Sequence, residues 1–418
     1  MILFHRYGKK GTPLRAKPLN DLTRIVGAEQ LLTDEKRTGL IEKIRGNCSL
    51  ETPRFDSLCL TLIRHFANHC QSLPETSNSY YSQQGGLIDH ALNRTEAALE
   101  LFKQYLIVDE KASLSEEQKL WQYALLSAAI LQGIGKLQID YTVNIYDNNG
   151  QLLRQWNPLL ENFSLIGSYY NYSFQKETNV EFRRRLNILM ARLIMPASGY
   201  AWIVSNPQVL EVWLALLNED PYSAGTLGAI LVRADAIAMQ RYFNQFSARS
   251  HATKGHRYGR VGTFTGGTPE SLSELEQQHG VEFMVWLTNS LESKQIMINK
   301  APLLMVPGGL LMVADIFKLF IRDNPEYKNW QAIQSGFLSL GLHHVNKDGT
   351  HLSRFEQHNN QQMHDGIVLT NYAIALPAEV LLHNSHTGNA ESVSATELVS
   401  LMQTNNNFTL QHQSAAIT

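Results

Sequence analysis

A mainly α chain is predicted: an all-helical domain over residues 25–246, followed by a smaller α/β domain over 281–384 whose order of elements is winged-helix-like. Three observations carry that expectation. Apolar residues recur at three- and four-residue spacing through the first part, as amphipathic helices require. Short β-branched runs bounded by turn residues join the helices of the second part. Between the two, residues 247–280 are rich in Gly, Ser, Thr and charge, as a linker is. A chain of 418 residues has room for two or three domains with their own cores.

Residues 1–24 begin with Arg6, Lys9, Lys10, Arg15 and Lys17 and no acid before Asp21, which describes a basic arm. The helical period then runs through "SLCLTLIRHFANHCQSL", "GLIDHALNRTEAALELFKQYL", "SEEQKLWQYALLSAAILQGIGKL", "FRRRLNILMARLIM", "QVLEVWLALL" and "AGTLGAILVRADAIAMQRYF". Ser113 and Glu116 are spaced as a capping box ahead of the third. "IDYTVNIYDNNGQLLRQWNP" alternates and then turns, so it reads as a small hairpin or an irregular insertion. After the linker come a helix, the strand "APLLMVP", a Gly308-Gly309 turn, "LLMVADIFKLFIRD" as strand passing into helix, and the helix "NWQAIQSGFLSLGL". "HHVNKDGTHLSRFE" then supplies strand, turn and strand, the wing. The polar stretch 385–418 is predicted to be disordered apart from one short helix.

Composition narrows the function classes. Net charge is −2 and the isoelectric point about 6.7, so nucleic-acid contact requires local patches. Cys48, Cys59 and Cys70 recur at intervals of eleven, about 16 Å along a helix and too far for a bridge. A thiol-poor chain without an export signal is expected to be cytoplasmic. The longest apolar run, "PLLMVPGGLLMVADIF", is broken by Pro307 and a glycine pair, so no membrane insertion is expected.

Three polar groups on three helical segments draw attention: His90 near a helix start, Gln132-Gly133 and Lys136 at a helix end, and Asp235 within an apolar helix. Imidazole and carboxylate converging from a rigid helical frame is how a metal-phosphohydrolase pocket is built. Each alone also fits a satisfied core group. His65 and His69 share a helical face but have no Glu between them to act as a base. Arg183-Arg184-Arg185 spans most of a helical circumference, so phosphate contact and plain solvation both remain open.

Nucleic-acid candidates fall in two places. Arg241, Arg249, Lys254, Arg257 and Arg260 occupy an acid-free stretch that either tracks a phosphate backbone or keeps a linker soluble. In the C-terminal module, "NWQAIQSGFLSLGL" offers Asn329, Gln331, Gln334 and Ser335 to base edges, with Lys347 and Arg354 on the wing. That helix contains no Arg or Lys, so protein docking competes with DNA binding.

The succession "GGLIDH", "AAILQGIGK", "DYTVNIYD", "WNP", "FRRRLNILMARLIMP" and "LVRADAIAM" resembles the HD-type N-terminal domain of TraI-like, MobH-class conjugative relaxases. The stretch "INKAPLLMVPGGLLMVADIFKLF" through "NWQAIQSGFLSLGLHHVNKDGTHL" resembles the C-terminal domain of the same family. The resemblance implies a place in the DNA-transfer machinery. It also exposes departures: Tyr80-Tyr81 stand where the family commonly has a His pair, Gln132-Gly133 where it has the His-Asp doublet, and Leu186-Asn187 where a further His falls. Of the implied ligands only His90 and Asp235 match, and two ligands do not hold a catalytic divalent ion.

The expectation is therefore a remnant HD pocket of His90, Gln132, Gly133, Lys136 and Asp235, with no metal cofactor unless other residues complete it. Tyr80 and Tyr81 are either relaxase-type nucleophiles or aromatic packing at a helix start. The functional reading is a relaxase-like DNA-processing or DNA-binding component of conjugative transfer. Its alternative is a non-catalytic scaffold that binds a protein of a conjugation or secretion complex. Oligomeric state is not legible.

Overall fold

The computed structural model describes residues 16–77, 79–105, 114–163, 166–175, 179–253, 274–346, 350–358, 361–370, 372–384, 388–405 and 407–411. Near the start, the Asp34 carboxylate accepts the N–H groups of Lys36 and Arg37. It thereby caps α2 (Glu35–Asn47), which follows the short α1 (Ala28–Leu32). α3 (Thr52–Phe55), a π turn at Asp56–Leu60 and α4 (Thr61–Cys70) form one continuous helical run. α5 (Gly86–Tyr105) and α6 (Glu116–Leu131) pack beside it, and the short α7 (Lys136–Ile139) follows. The capping box of α6 is Ser115 with Gln118, two residues beyond the expected pair; Ser113 lies outside the described residues.

The first domain is not all-helical. β1 (Thr23–Arg24), β2 (Tyr141–Tyr146), β3 (Leu152–Gln155) and β4 (Tyr169–Phe174) form an antiparallel sheet in the order β1-β4-β2-β3. The expected hairpin is β2–β3. What periodicity could not show is that the aromatic run "YYNYSF" returns to pair along the whole of β2 and recruits two residues from the N-terminal arm. The sheet has a positioning role. Tyr141 donates its hydroxyl proton to the Pro74 carbonyl at 2.5 Å, and the buried Tyr170 hydroxyl accepts the Ser72 N–H at 3.1 Å. Both fix the loop ahead of α5.

α8 (Val180–Ile194), α9 (Ala197–Val204) and α10 (Pro207–Leu217) complete the first layer, with Asn179 and Asn206 as caps. α11 (Gly225–Thr253) then serves both halves of the molecule. Leu227, Ile230, Leu231 and Ala234 belong to the first core, while Ala229, Ala236, Met239 and Phe243 belong to the second. At 1.5 Å per residue its 29 residues span about 44 Å. α11 runs to Thr253, past the start of the linker expected at residue 247, and α12 starts at Glu274. The rest of the expected linker, 254–273, lies outside the described residues.

In the second half α12 (Glu274–Glu292) leads to β5 (Leu303–Val306) and β6 (Gly309–Met312), then α13 (Asp315–Asp323) and α14 (Trp330–Ser339). The hairpin expected at 343–356 is displaced. Its strands are β7 (Ser353–Gln357) and β8 (Gln362–Leu369), paired from Ser353↔Gly366 to Gln357↔Gln362. Asn346 N–H donates to the Thr350 carbonyl, residues 347–349 of the expected turn lie outside the described residues, and the strand ahead of it reduces to a bridge at His343. β8 also pairs with β6, so this hairpin is part of a five-stranded antiparallel sheet, β11-β7-β8-β6-β5.

The expected disorder of 385–418 does not hold where the chain is described. β9 (Glu379–His383) pairs with β10 (Ala390–Ser394), α15 (Ala395–Gln403) docks on α11, and β11 (Phe408–Gln411) adds the sheet's edge strand. Leu398, Val399 and Met402 are buried in the second core, and the Asn405 amide donates to the Met305 carbonyl at 2.7 Å. A polar average concealed one apolar helical face.

Candidate functional site

The site begins with a backbone constraint. Gly85 has φ +78°, and a Cβ on Gly86 would lie 1.8 Å from the Tyr81 carbonyl oxygen. Only glycine lets the loop close so tightly onto the first turn of α5. That closure lays both tyrosines on His90, Tyr81 stacked at 4.9 Å between ring centroids and Tyr80 edge-on at 5.6 Å. Tyr81 also packs on Tyr242 and donates its hydroxyl proton to the Ala238 carbonyl of α11 at 2.8 Å.

Beneath the tyrosines lies a buried row of charges. Lys136 donates to the Glu75 carboxylate, and to the Glu75 carbonyl at 3.2 Å. Glu75 Oε2 is 3.6 Å from His90 Nδ1, and the other ring nitrogen, Nε2, is 3.2 Å from Asp235 Oδ1. Neither His90 contact is aligned as a hydrogen bond, so the attraction is chiefly Coulombic. Arg94, one turn along α5, closes the row at 2.9 Å from the same Asp235 oxygen. Its other guanidinium nitrogens donate to the carbonyls of Ala129 (2.7 Å) and Gln132 (3.2 Å). The order is Lys136, Glu75, His90, Asp235, Arg94, three cations alternating with two carboxylates.

Mutual neutralisation sets the protonation states. Burial opposes charge on His90, yet Asp235 and Glu75 outweigh it and raise its pKa above the ordinary imidazole value. Burial likewise opposes ionisation of Asp235, but His90 and Arg94 hold it at about 2. Glu75 is held well below the carboxylate range, Lys136 and His90 overcoming its desolvation. The tyrosines move the other way: burial, reinforced by neighbouring carboxylates, pushes both hydroxyls far above a normal phenol.

Two family models match this chain. The first, TraI_2, described as "Putative helicase", covers residues 22–261, more than half of the chain. The chain belongs to the TraI_2 family. A second, described as "Putative conjugal transfer nickase/helicase TraI C-term", covers residues 278–388. No curated protein matches. The two matches meet the two cores, and α11, inside the TraI_2 match, contributes to both.

Within this TraI_2 chain, His90, Lys136, Asp235, Tyr80 and Tyr81 come together as one site. Gln132 takes part through its carbonyl, while its side-chain oxygen has no hydrogen-bond partner among the described residues. Gly133, φ +74°, ends α6 and turns the chain toward α7. Asn187 braces that turn, accepting the Gly135 N–H at 2.7 Å and donating to the Leu217 carbonyl at 2.8 Å. Asp235 and Gln132 border a cleft of about 420 Å³ between the halves, shared with Arg184, Glu219, Gly308 and Thr370. Sequence reasoning missed Glu75 and Arg94. Arg94 carried a usable signal, four residues after His90 on one helical face; Glu75 is brought in by the loop closure alone.

His65 and His69 place their Nδ1 atoms on the carbonyls of Ile194 (2.9 Å) and His65 (3.0 Å). The described nucleic-acid candidates are largely engaged. Arg241 pairs with Glu96 at 2.5 Å and lies 3.7 Å from Glu100, and Arg354 makes two 2.7 Å bonds to Asp365 across β7–β8. Asn329 caps α14 by accepting the Gln331 N–H, leaving Gln331 exposed and Gln334 half-buried. Arg249 lies on α11; Lys254, Arg257, Arg260 and Lys347 lie outside the described residues.

Proposed function

We propose that this TraI_2 protein is a relaxase-like component of conjugative DNA transfer whose HD-type pocket has exchanged metal chemistry for an internal charge network. The observation that carries this reading is the alternating row from Lys136 to Arg94. A divalent ion needs carboxylate oxygens and neutral imidazole. Here each carboxylate is already matched by a protein cation, Glu75 by Lys136 and Asp235 by Arg94, and the two carboxylates that face the two nitrogens of His90 raise its affinity for a proton. The donor set does not fit a divalent ion. An imidazole with both nitrogens facing carboxylates has no free nitrogen to take a substrate proton, and the elevated phenols of Tyr80 and Tyr81 supply no ready oxyanion for phosphodiester attack.

A second reading, the non-catalytic scaffold, is favoured by the pairing of Arg241 and Arg354 with carboxylates, which a phosphate would have to displace. One experiment separates the outcomes. Supercoiled plasmid carrying the transfer origin is incubated with the protein and Mg, Mn, Zn or Ni, and products are resolved for nicking and covalently attached protein. The expected result is no nicked, protein-linked DNA and no stoichiometric metal in the purified protein. A protein-linked nick abolished by Tyr80→Phe or Tyr81→Phe refutes the reading. Duplex retention that weakens steeply with salt selects DNA binding, and no retention even at low salt selects the scaffold.

A further inference from the structure

We propose that the outer face of α8 is a docking site for an acidic amphipathic helix of a partner protein. Phe182, Leu189 and Leu193 expose 49%, 58% and 53% of their surface. At 100° per residue they fall within about 40° of one another around the helix, forming a stripe about 16 Å long over three turns. The adjoining face, Leu186, Met190, Ile194, Asn187 and Ala191, is buried against the first core, so the stripe is the part of the helix's apolar surface that the core leaves uncovered. Single exposed apolar side chains are ordinary on a protein surface; three in register on one helix are the pattern of a helix-in-groove contact.

Charge selects the occupant. Arg185 and Arg192 line one flank of the stripe, both exposed, and among the described residues neither has a carboxylate within ion-pair distance. Arg192 lies instead over the Tyr200 ring at 4.6 Å. The acid on this side, Glu181, is taken by Arg184. A second copy would set arginine against arginine across a symmetric contact, which costs affinity. A nucleic-acid backbone would satisfy the arginines but leave the three apolar side chains unmatched. A helix with an apolar seam and Asp or Glu along its flank satisfies both. This inference stands on α8 alone and goes beyond the conjugative reading; it holds whether or not the protein touches DNA.

The test uses the full chain and a fluorescein-labelled synthetic helical peptide with leucines at seven- and four-residue spacing and glutamates along both flanks, followed by fluorescence anisotropy. Saturable binding is expected, weakened about tenfold or more by the paired substitution Leu189→Asp with Leu193→Asp. Arg185→Glu with Arg192→Glu is expected to exchange preference, losing the glutamate-flanked peptide and gaining its lysine-flanked counterpart. Both pairs are solvent-exposed, and circular dichroism checks that each variant is folded. No binding, binding insensitive to the leucine pair, or equal binding of both peptides overturns the proposal. So does tighter association with anionic phospholipid vesicles or duplex DNA than with the peptide when that association is lost in the same variants.

Discussion

Replacing Arg94 with Met keeps the length of the side chain and removes the charge at the end of the buried row. The guanidinium is 6% exposed by residue and makes three contacts, to Asp235, the Ala129 carbonyl and the Gln132 carbonyl. Removing one partner of a fully buried pair costs about 3–5 kcal/mol because the remaining charge stays desolvated; Asp235, half-buried at the edge of the cleft, belongs at the lower end of that range. Asp235 provides a separate measure of the field it sits in. An ordinary Asp titrates near 3.8, and holding it at about 2 against the cost of burial corresponds to a net of roughly 2–3 kcal/mol, to which His90 and Arg94 contribute. The two orphaned carbonyls add to Arg94's part of that figure. The expected loss for Arg94→Met is therefore about 3 kcal/mol, a large share of a typical 5–15 kcal/mol stability. Sign follows from the depressed pKa. Stability from Asp235 is present above about pH 4 and lost as pH falls through about 2, so the wild type weakens over that interval and the Met variant loses less there. Urea unfolding monitored by circular dichroism from pH 7 to 2.5 measures both. A variant within about 0.5 kcal/mol of wild type at pH 7, or one with the wild-type acid profile, refutes a stabilising charge network.

Gly86→Ala is expected to lower the melting temperature by well over 5 °C, because its methyl would meet the Tyr81 carbonyl oxygen at 1.8 Å; thermal unfolding checks it. Tyr81→Phe removes the 2.8 Å bond to the Ala238 carbonyl and should cost about 1–2 kcal/mol in urea unfolding, without changing any activity on origin DNA. Truncation after residue 389 removes α15 and β11 and is expected to expose the second core, read as new binding of a hydrophobic dye; unchanged dye binding counts against the ordered tail.

The first domain's helices were legible because each has a continuous apolar face and a polar cap that speak for themselves locally, such as Asn206 before Pro207. β3 was legible for the same reason, lying one turn from its partner. β4 and β11 were not: their pairing partners lie far away in the chain, and a strand with an exposed face shows little period of its own. Of the candidate site, His90, Lys136 and Asp235 were legible as polar groups in apolar surroundings, but their role was not.

Sequence by itself determined the helical periodicity and the family resemblance. Those follow from local spacing and residue chemistry. Tertiary structure alone decided that α11 serves two cores, that Arg241 and Arg354 are matched by carboxylates, and that Glu75 and Arg94 complete a row with His90 and Asp235. The reason is distance: Coulombic attraction between buried charges acts over a few ångströms of space, and Glu75, Lys136 and Asp235 are brought that close only after the chain has closed at Gly86 and the helices have packed.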